Sequence, residues 1–141
     1  MALRYLLDTN VLSETMRPAP DARVLERMLD VGDAAATGAP AWHEIEYGRS
    51  RLPRGKRRRV IDAFVDRLAA VLMVLPYDAA AATWHARERA MLAAKGKTPA
   101  FVDGQLAAIA CVNGLVLVTR NVRDFAPFAG LRVESWFGLA E

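Results

Sequence analysis

Four acidic residues, Asp8, Glu44, Asp103 and Asp124, occupy positions where an α/β fold could bring their side chains together. Asp8 directly follows one short apolar run, Asp124 follows another after a short loop, and Asp103 opens a helical segment just after Pro99. Carboxylates that lie close together raise one another's pKa, and a bound divalent cation relieves their repulsion. Because Mg²⁺ and Mn²⁺ prefer oxygen ligands, these residues predict a metal site that activates water and neutralises charge on a phosphoryl group.

Each of these acids also has an ordinary structural interpretation. Asp8 could cap the helix that follows it, since a side-chain oxygen at this position accepts from free backbone N–H groups. Asp103, in the first turn of a helix, is favoured by the helix dipole whatever the function. Glu44 is an unremarkable helix residue and Asp124 a common turn former. The residue types alone therefore leave both a metal site and a purely structural role open.

Short apolar runs bounded by turn residues predict five strands with helices between them. The predicted strands cover residues 3–7, 34–37, 71–75, 115–118 and 132–134. The predicted helices cover residues 11–16, 21–32, 40–48, 78–95 and 101–112, with one more whose apolar face is Val60, Ile61, Phe64, Val65 and Leu68. Strands separated by helices indicate an α/β fold with a mainly parallel sheet. Because such sheets place their sites at the carboxyl ends of the strands, Asp8 and Asp124 are expected at the same edge.

Composition narrows the class of protein. A chain of 141 residues with 53% hydrophobic residues predicts one globular domain spanning residues 1–141. The lone Cys111 excludes an intrachain disulfide and a cysteine zinc site, and it favours a reduced cytoplasm. The two histidines, His43 and His85, lack metal-ligand spacing. The opening residues do not resemble a signal peptide, and no apolar run approaches the ~20 residues of a membrane span.

Positive charge is concentrated in one stretch of the chain. Seven bases occur there with no acid between them: Arg49, Arg51, Arg54, Lys56, Arg57, Arg58 and Arg59. The rest of the chain carries 12 bases against 16 acids, although the whole chain has a formal net charge of +3. This stretch could attract a phosphate backbone, with Arg54, Arg57 and Arg58 as the expected RNA contacts. The alternative is a solvated turn and helix start without a binding role.

Four segments resemble, in order, the motifs of PIN-domain ribonucleases of the VapC toxin type. They are YLLDTNVLSE at residues 5–14, WHEIEYG at 42–48, DGQLAAIA at 103–110 and TRNVRDF at 119–125. The second motif has two acids, and the resemblance favours Glu44 over Glu46, because Gly48 follows Glu44 at the family's usual distance. The resemblance spans nearly the whole chain and implies a PIN-like fold, in which helices flank a mainly parallel sheet on both faces.

The resemblance also assigns roles to individual residues. It implies that Asp8, Glu44, Asp103 and Asp124 are the catalytic, metal-binding acids. Asp8 and Asp103 would be direct ligands, and Glu44 and Asp124 would bind partly through water or tune a second site. The implied supporting polar residues, which orient the acids or contact the scissile phosphate, are Asn10, Thr119 and Asn121.

The activity implied by the resemblance is that of a Mg²⁺- or Mn²⁺-dependent endoribonuclease, the toxin of a type II toxin–antitoxin system. Its expected partners are an RNA substrate, a VapB-type antitoxin and a second copy of the chain, all in the cytoplasm and without a membrane. One alternative is an aspartate-based phosphatase or phosphotransferase, but that class usually has a second Asp where this chain has Asn10. The other alternative is a non-catalytic binding protein with a degenerate site. The presence of all four acids counts against it.

Overall fold

Five short strands form one sheet in the computed structural model, which describes residues 2–138. The strands are β1 (Tyr5–Leu7), β2 (Ala35–Gly38), β3 (Met73–Leu75), β4 (Val116–Val118) and β5 (Val133–Glu134). Their order across the sheet is β3-β2-β1-β4-β5, and all four pairings are parallel. The prediction of an α/β fold with a parallel sheet is therefore confirmed, and β1 and β4 are neighbours at its centre.

Seven helices connect the described strands. They are α1 (Thr9–Thr15), α2 (Ala22–Val31), α3 (Ala39–Ser50), α4 (Lys56–Val71), α5 (Ala79–Ala94), α6 (Phe101–Val112) and α7 (Val122–Phe125), with one 3-10 turn at Gly32–Ala34. Side chains of Asp8, Asp21 and Asp78 cap α1, α2 and α5 by accepting from backbone N–H groups in the first turn. Three of the helix starts are thus fixed by local hydrogen bonding.

The core lies on both faces of the sheet, because side chains alternate along each strand. Leu6 and Leu117 point to the face covered by α5 and α6. Leu7 and Val118 point to the opposite face, with residues of α1, α2 and α4. All four are fully buried, and burying a side chain of this size stabilises the fold by about 1.5–3 kcal/mol. The expected arrangement of helices on both faces is confirmed.

The structure differs from the predicted elements in two places that bear on function. The segment before Asp124 was predicted as a loop, whereas α7 begins at Val122 and places Asp124 in its first turn. Helix α4 buries Val65 completely but leaves Val60 58% exposed, so its predicted apolar face is only partly covered. Helical spacing identifies an apolar face but not the element that packs against it. Within residues 2–138, no helix is both long and apolar enough to cross a membrane.

Candidate active site

The centre of the candidate site is the carboxyl edge of β1 and β4. The two strands pair with Leu7 opposite Val118, and the Asp8 amide donates to the Val118 carbonyl at 2.9 Å. Asp8 and Thr119 therefore leave the sheet side by side. Asp8 is 8% exposed and Thr119 is fully buried. Parallel pairing thus joins two predicted site residues that are far apart in the sequence.

Three donors hold the carboxylate of Asp8. Its Oδ1 accepts from the Thr9 amide at 2.7 Å. Its Oδ2 accepts from the Thr119 hydroxyl at 2.8 Å and from the Asn10 side-chain amide at 3.3 Å. The amide of Asn121 donates to Thr119 Oγ1 at 3.1 Å, so the predicted supporting residues belong to one network with Asp8.

The negative charges of Asp8, Asp103 and Asp124 influence one another. Burial, followed by the charges of Asp8 and Asp124, raises the pKa of Asp103 to about 6. Burial also raises the pKa of Asp8 despite its hydrogen bonds, and Asp124 adds to the rise. Three of the four predicted acids therefore belong to one electrostatic cluster, in which a bound cation would stabilise the ionised carboxylates.

Glu44 is not among the charges that raise the pKa values of Asp8 and Asp103. It lies on α3 with its side chain 49% exposed, and its Oε1 lies 3.9 Å from Nδ1 of His43. Glu46, the other acid of this motif, instead accepts two hydrogen bonds from Arg49 at 3.0 Å. The charges of Asp8, Asp103 and Asp124 therefore act on one another, whereas Glu44 is a half-exposed residue of α3.

The donor set fits a hard divalent cation that keeps part of its water shell. Within the described part of the chain, no group of three or more His, Cys, Asp or Glu side chains is close enough to hold an ion together. Mg²⁺ does not require such a cage, since it is usually held by one or two carboxylates, several waters and substrate phosphates. Asp8 and Asp103 would meet that requirement, since their carboxylates supply only oxygen atoms.

Comparison with known proteins places this site in a family. The sequence profile of the PIN domain family matches residues 5–131. The chain belongs to the PIN-domain family. It is 38% identical over 137 residues to the tRNA(fMet)-specific endonuclease VapC of Shigella flexneri, a match covering 95% of this chain and 98% of that protein.

Solved structures show that the likeness extends to the fold. A chain of the FitAB complex bound to an IR36 DNA fragment superposes with a TM-score of 0.86 and 28% identity, covering 97% of this chain and 98% of that one. A chain of DNA-bound VapBC from Salmonella typhimurium gives a TM-score of 0.84 and 31% identity, with 95% and 98% covered. The predicted PIN-like fold and VapC-type membership are therefore confirmed.

A groove of about 890 Å³ runs beside Glu44 on this PIN domain, between α1, α3 and α4. Its apolar wall includes Met16, Ile45, Val60 and Ile61. Its basic residues include Arg17, Arg51, Lys56 and Arg57. The partial exposure of Val60 has its physical reason here, because this part of α4 faces the groove rather than another helix.

The bases of the predicted RNA-binding stretch are not equivalent in the PIN-domain structure. Arg58 donates to the Leu52 carbonyl at 2.7 Å and to Asp62 at 3.3 Å, so its charge serves the α3–α4 connection. Arg54 and Arg57 are exposed. Of the three expected RNA contacts, these two keep side chains on the surface, whereas Arg58 is half-buried with partners within the chain.

Two buried polar residues near the site were not assigned a role from the sequence. Glu14, at 4% exposure, accepts from the Asp21 amide at 2.8 Å and from Arg17 at 3.1 Å, which fixes the turn between α1 and α2. His85, at 3% exposure, lies on α5 and packs against Gly104, the residue after Asp103. A glycine in the first turn of a helix, directly after a candidate ligand, is the sequence signal that could have drawn attention to His85.

Proposed function

We propose that this protein cleaves RNA as the toxin of a toxin–antitoxin pair, using Mg²⁺ or Mn²⁺ held directly by Asp8 and Asp103. The endoribonuclease class follows from the PIN family and from the VapC-type relatives, and divalent-metal dependence is general in that class. The choice of ion and of ligands is our proposal. The observation that carries it is the pairing of β1 with β4, which brings the buried Asp8 carboxylate together with its donors Thr9, Asn10 and Thr119 at the carboxyl edge of the sheet. The charge of Asp8 there acts on Asp103.

The chain's own residues would divide the work of phosphodiester hydrolysis. Asp8 is presented in a fixed orientation by Thr9, Asn10 and Thr119. A bound divalent ion would supply a water of lowered pKa and neutralise charge on the phosphoryl group. Asp124 and Glu44 would bind the ion through water molecules, or would line the side from which substrate enters. Water would attack in line on phosphorus with the 3′ oxygen as the leaving group, so that the P–O3′ bond breaks and the products carry a 5′-phosphate and a 3′-hydroxyl.

The polar residues beside Asp8 would position the scissile phosphate as well as the acid. Asn10 is itself fixed, because its Oδ1 accepts from the Arg120 amide at 3.0 Å. Asn121 is exposed at the start of α7, within reach of solvent and hence of substrate. We propose that Asn10, Thr119 and Asn121 form the polar edge of the site, with Thr119 acting through Asp8 since it is fully buried.

RNA would reach the acids along the basic surface at the start of α4. Arg54 and Arg57 would contact the phosphate backbone and offset the repulsion between RNA and the carboxylates. Arg58 would contribute less, since its guanidinium already has partners within the chain. Single-stranded or loop RNA is the expected substrate, because the bases of duplex RNA are hard to reach.

A cognate antitoxin is the expected protein partner. The structural relatives described above are the VapBC and FitAB complexes, solved bound to DNA. We propose a VapB-type antitoxin for this chain, with a homodimer of the toxin in the complex and a cytoplasmic location. The groove beside Glu44 suits an antitoxin segment with apolar and acidic side chains, because its wall is apolar and its rim basic.

The experiment that tests the proposal uses the chain purified free of any partner and incubated with total RNA. Cleavage should require Mg²⁺ or Mn²⁺, stop with a chelator, and fall on the order of 10²-fold or more in Asp8→Asn and in Asp103→Asn. Asn is as good a helix cap as Asp, so Asp8→Asn should keep the start of α1. Asp33→Asn, which changes an exposed acid before β2 and hence at the opposite edge of the sheet, is the matched control. Cleavage without metal, or full activity in both site variants, would refute the mechanism.

A further inference from the structure

Helix α5 contributes one buried histidine to the start of α6. His85 is 3% exposed, and its ring centroid lies 4.8 Å from that of Phe101. The Tyr77 hydroxyl lies 2.8 Å from His85 Nδ1, which fixes the orientation of the ring. Burial, with the charge of Arg89 nearby, lowers the pKa of His85, so the ring is neutral at pH 7.

Gly104 provides the space that the ring of His85 occupies. A Cβ atom at position 104 would collide with His85 Nε2 and would lie 2.6 Å from Cδ2 and 3.1 Å from Cε1. Glycine within a helix costs about 1 kcal/mol relative to alanine. Here that cost is offset by the close approach of the imidazole to the backbone of α6.

This contact matters because Asp103 has no hydrogen-bonded support of its own. Within residues 2–138 its carboxylate accepts no hydrogen bond, whereas that of Asp8 accepts three. The direction of the Asp103 side chain is therefore set by the rotation and height of the first turn of α6. Phe101 and Gly104 are three residues apart and lie on one face of that turn, with Asp103 about 100° around the helix from Gly104.

We propose that His85 is a positioning residue, which fixes the Asp103 carboxylate relative to Asp8 by packing its ring between Phe101 and Gly104. The inference rests on the proposed function, since it assumes that Asp103 binds the metal. His85 would not contact metal or RNA, because it is buried behind the first turn of α6. It would act by preventing that turn from rotating or from moving towards α5.

The test measures Mn²⁺ binding by electron paramagnetic resonance in the wild type and in single and double variants. Gly104→Ala forces a methyl group against the ring and should weaken Mn²⁺ binding on the order of 10- to 100-fold. His85→Ala removes the packing and should weaken it similarly. In His85→Ala/Gly104→Ala the new methyl group occupies vacated space, so binding should recover to at least tenfold tighter than in Gly104→Ala. Such rescue is expected only if the imidazole of His85 and the methyl group introduced at position 104 would occupy the same space.

A milder variant and a metal-free readout protect the test against simple misfolding. Tyr77→Phe keeps the packing but removes the bond that orients the imidazole, and it should weaken Mn²⁺ binding on the order of threefold. The Gly104 amide donates to the Ala100 carbonyl at 3.1 Å. Hydrogen exchange at this amide, measured in metal-free samples, reports how firmly the first turn of α6 is held. Exchange at Gly104 should be faster in Tyr77→Phe and in His85→Ala.

The control is Val24→Ala, which removes a fully buried side chain on the opposite face of the sheet. It should destabilise the fold while keeping the Mn²⁺ affinity and the exchange rate at Gly104. Wild-type Mn²⁺ affinity and Gly104 exchange in His85→Ala and Tyr77→Phe would overturn the inference and leave the proposed function intact. Equal losses in Val24→Ala would overturn it as well, since the effect would then follow stability alone. A wild type that binds no Mn²⁺ would refute the metal site and the positioning role together.

Discussion

At the scale of single residues, the two central acids are held in different ways. Asp8 is fixed by three donors, two on α1 and one in the segment after β4, whereas Asp103 depends on the backbone of its helix. Both carboxyl groups have raised pKa values, mainly because they are buried. Ionised carboxylates at these buried positions therefore lower the stability of the metal-free fold. Binding of a cation would offset that loss.

Asp103→Asn is therefore expected to stabilise the metal-free protein at pH 7.5. The pKa of Asp103 is about 6 in the fold against 3.8 for the ordinary group, so the stability present below pH 3.8 is lost as the pH rises through 6. Asparagine stays neutral and avoids this loss. The gain should be ~1 kcal/mol, reduced by solvent screening because the carboxyl is only half-buried. Urea denaturation in chelator at pH 7.5 and at pH 4 measures it.

The same variant should behave oppositely once metal is added. Mg²⁺ should raise the urea midpoint of the wild type, since a ligand that binds only the folded state stabilises it, and should leave Asp103→Asn unchanged. The advantage of the variant should also vanish at pH 4. A variant less stable than the wild type in chelator at pH 7.5 would show that the charge of Asp103 is not disfavoured in the fold.

Thr119→Val tests whether the hydroxyl beside Asp8 tunes the acid. Valine preserves the shape of this fully buried residue but removes the 2.8 Å bond that lowers the pKa of Asp8. The pKa of Asp8 should rise further, and protons should compete with Mn²⁺ up to a higher pH. Loss of such a supporting bond typically costs 10- to 100-fold in metal affinity or activity. Mn²⁺ affinity between pH 5 and pH 8 measures the effect.

Thr37→Val is the matched control for that experiment. Thr37 is also fully buried, but its hydroxyl donates to the Leu7 carbonyl at 2.7 Å rather than to a carboxylate. The Thr37→Val variant should be less stable than the wild type, but the pH dependence of its Mn²⁺ binding should be unchanged. An equal shift in the two variants would assign the effect to packing rather than to the bond with Asp8.

At the scale of elements, the sequence predicted those features that are encoded locally. The continuous apolar runs before Asp8 and before Thr119 predicted β1 and β4. The helices predicted from residues 21 and 78 agree with α2 and α5, which Asp21 and Asp78 cap. Features that depend on packing partners could not be predicted. The exposure of Val60 and the contact of His85 with Gly104 both depend on where neighbouring helices lie.

The α3–α4 connection shows why the basic residues could not be sorted from the sequence alone. Arg49 begins the seven-base stretch, yet its guanidinium donates to Glu46 on α3 at 3.0 Å and to Asp66 on α4 at 2.7 Å. Those acids raise the pKa of Arg49 and neutralise its charge. A charge count assigns Arg49 to the nucleic-acid surface, whereas the structure assigns it to the joint between two helices.

Arg49→Met is expected to reduce the free energy of unfolding by about 1–2 kcal/mol, because it removes charge-assisted bonds at a largely buried side chain. RNA affinity should change little. Arg51→Met, at the exposed end of α3, is the control and should cost less stability. Urea denaturation and RNA binding measured on the same samples separate the two effects. A large loss of RNA affinity with unchanged stability would place Arg49 on the RNA surface instead.

At the scale of the whole molecule, function depends on how charge is distributed over the fold. The acids of the candidate site lie at the carboxyl edge of the sheet, and an acidic site repels the polyanion that it would cleave. The exposed bases Arg54 and Arg57 lie at the start of α4, and Arg57 lines the same groove as Glu44. Uncompensated positive charge on this side would draw RNA towards the acids.

Arg54→Gln/Arg57→Gln should therefore weaken RNA binding and flatten its salt dependence. Each phosphate contact with single-stranded nucleic acid contributes about 0.7 to the slope of log K against log salt, so the slope should fall by about 1.4. Arg4→Gln/Arg132→Gln removes the same charge from residues before β1 and β5, at the opposite edge of the sheet, and should leave the slope unchanged. Fluorescence anisotropy with a single-stranded RNA in chelator, between 50 and 200 mM salt, measures binding without cleavage. A local contact surface predicts that charge removed at one edge of the sheet changes the slope and that the same charge removed at the opposite edge does not. Equal slopes in the two double variants would therefore mean that the net charge of the protein, rather than this surface, attracts RNA.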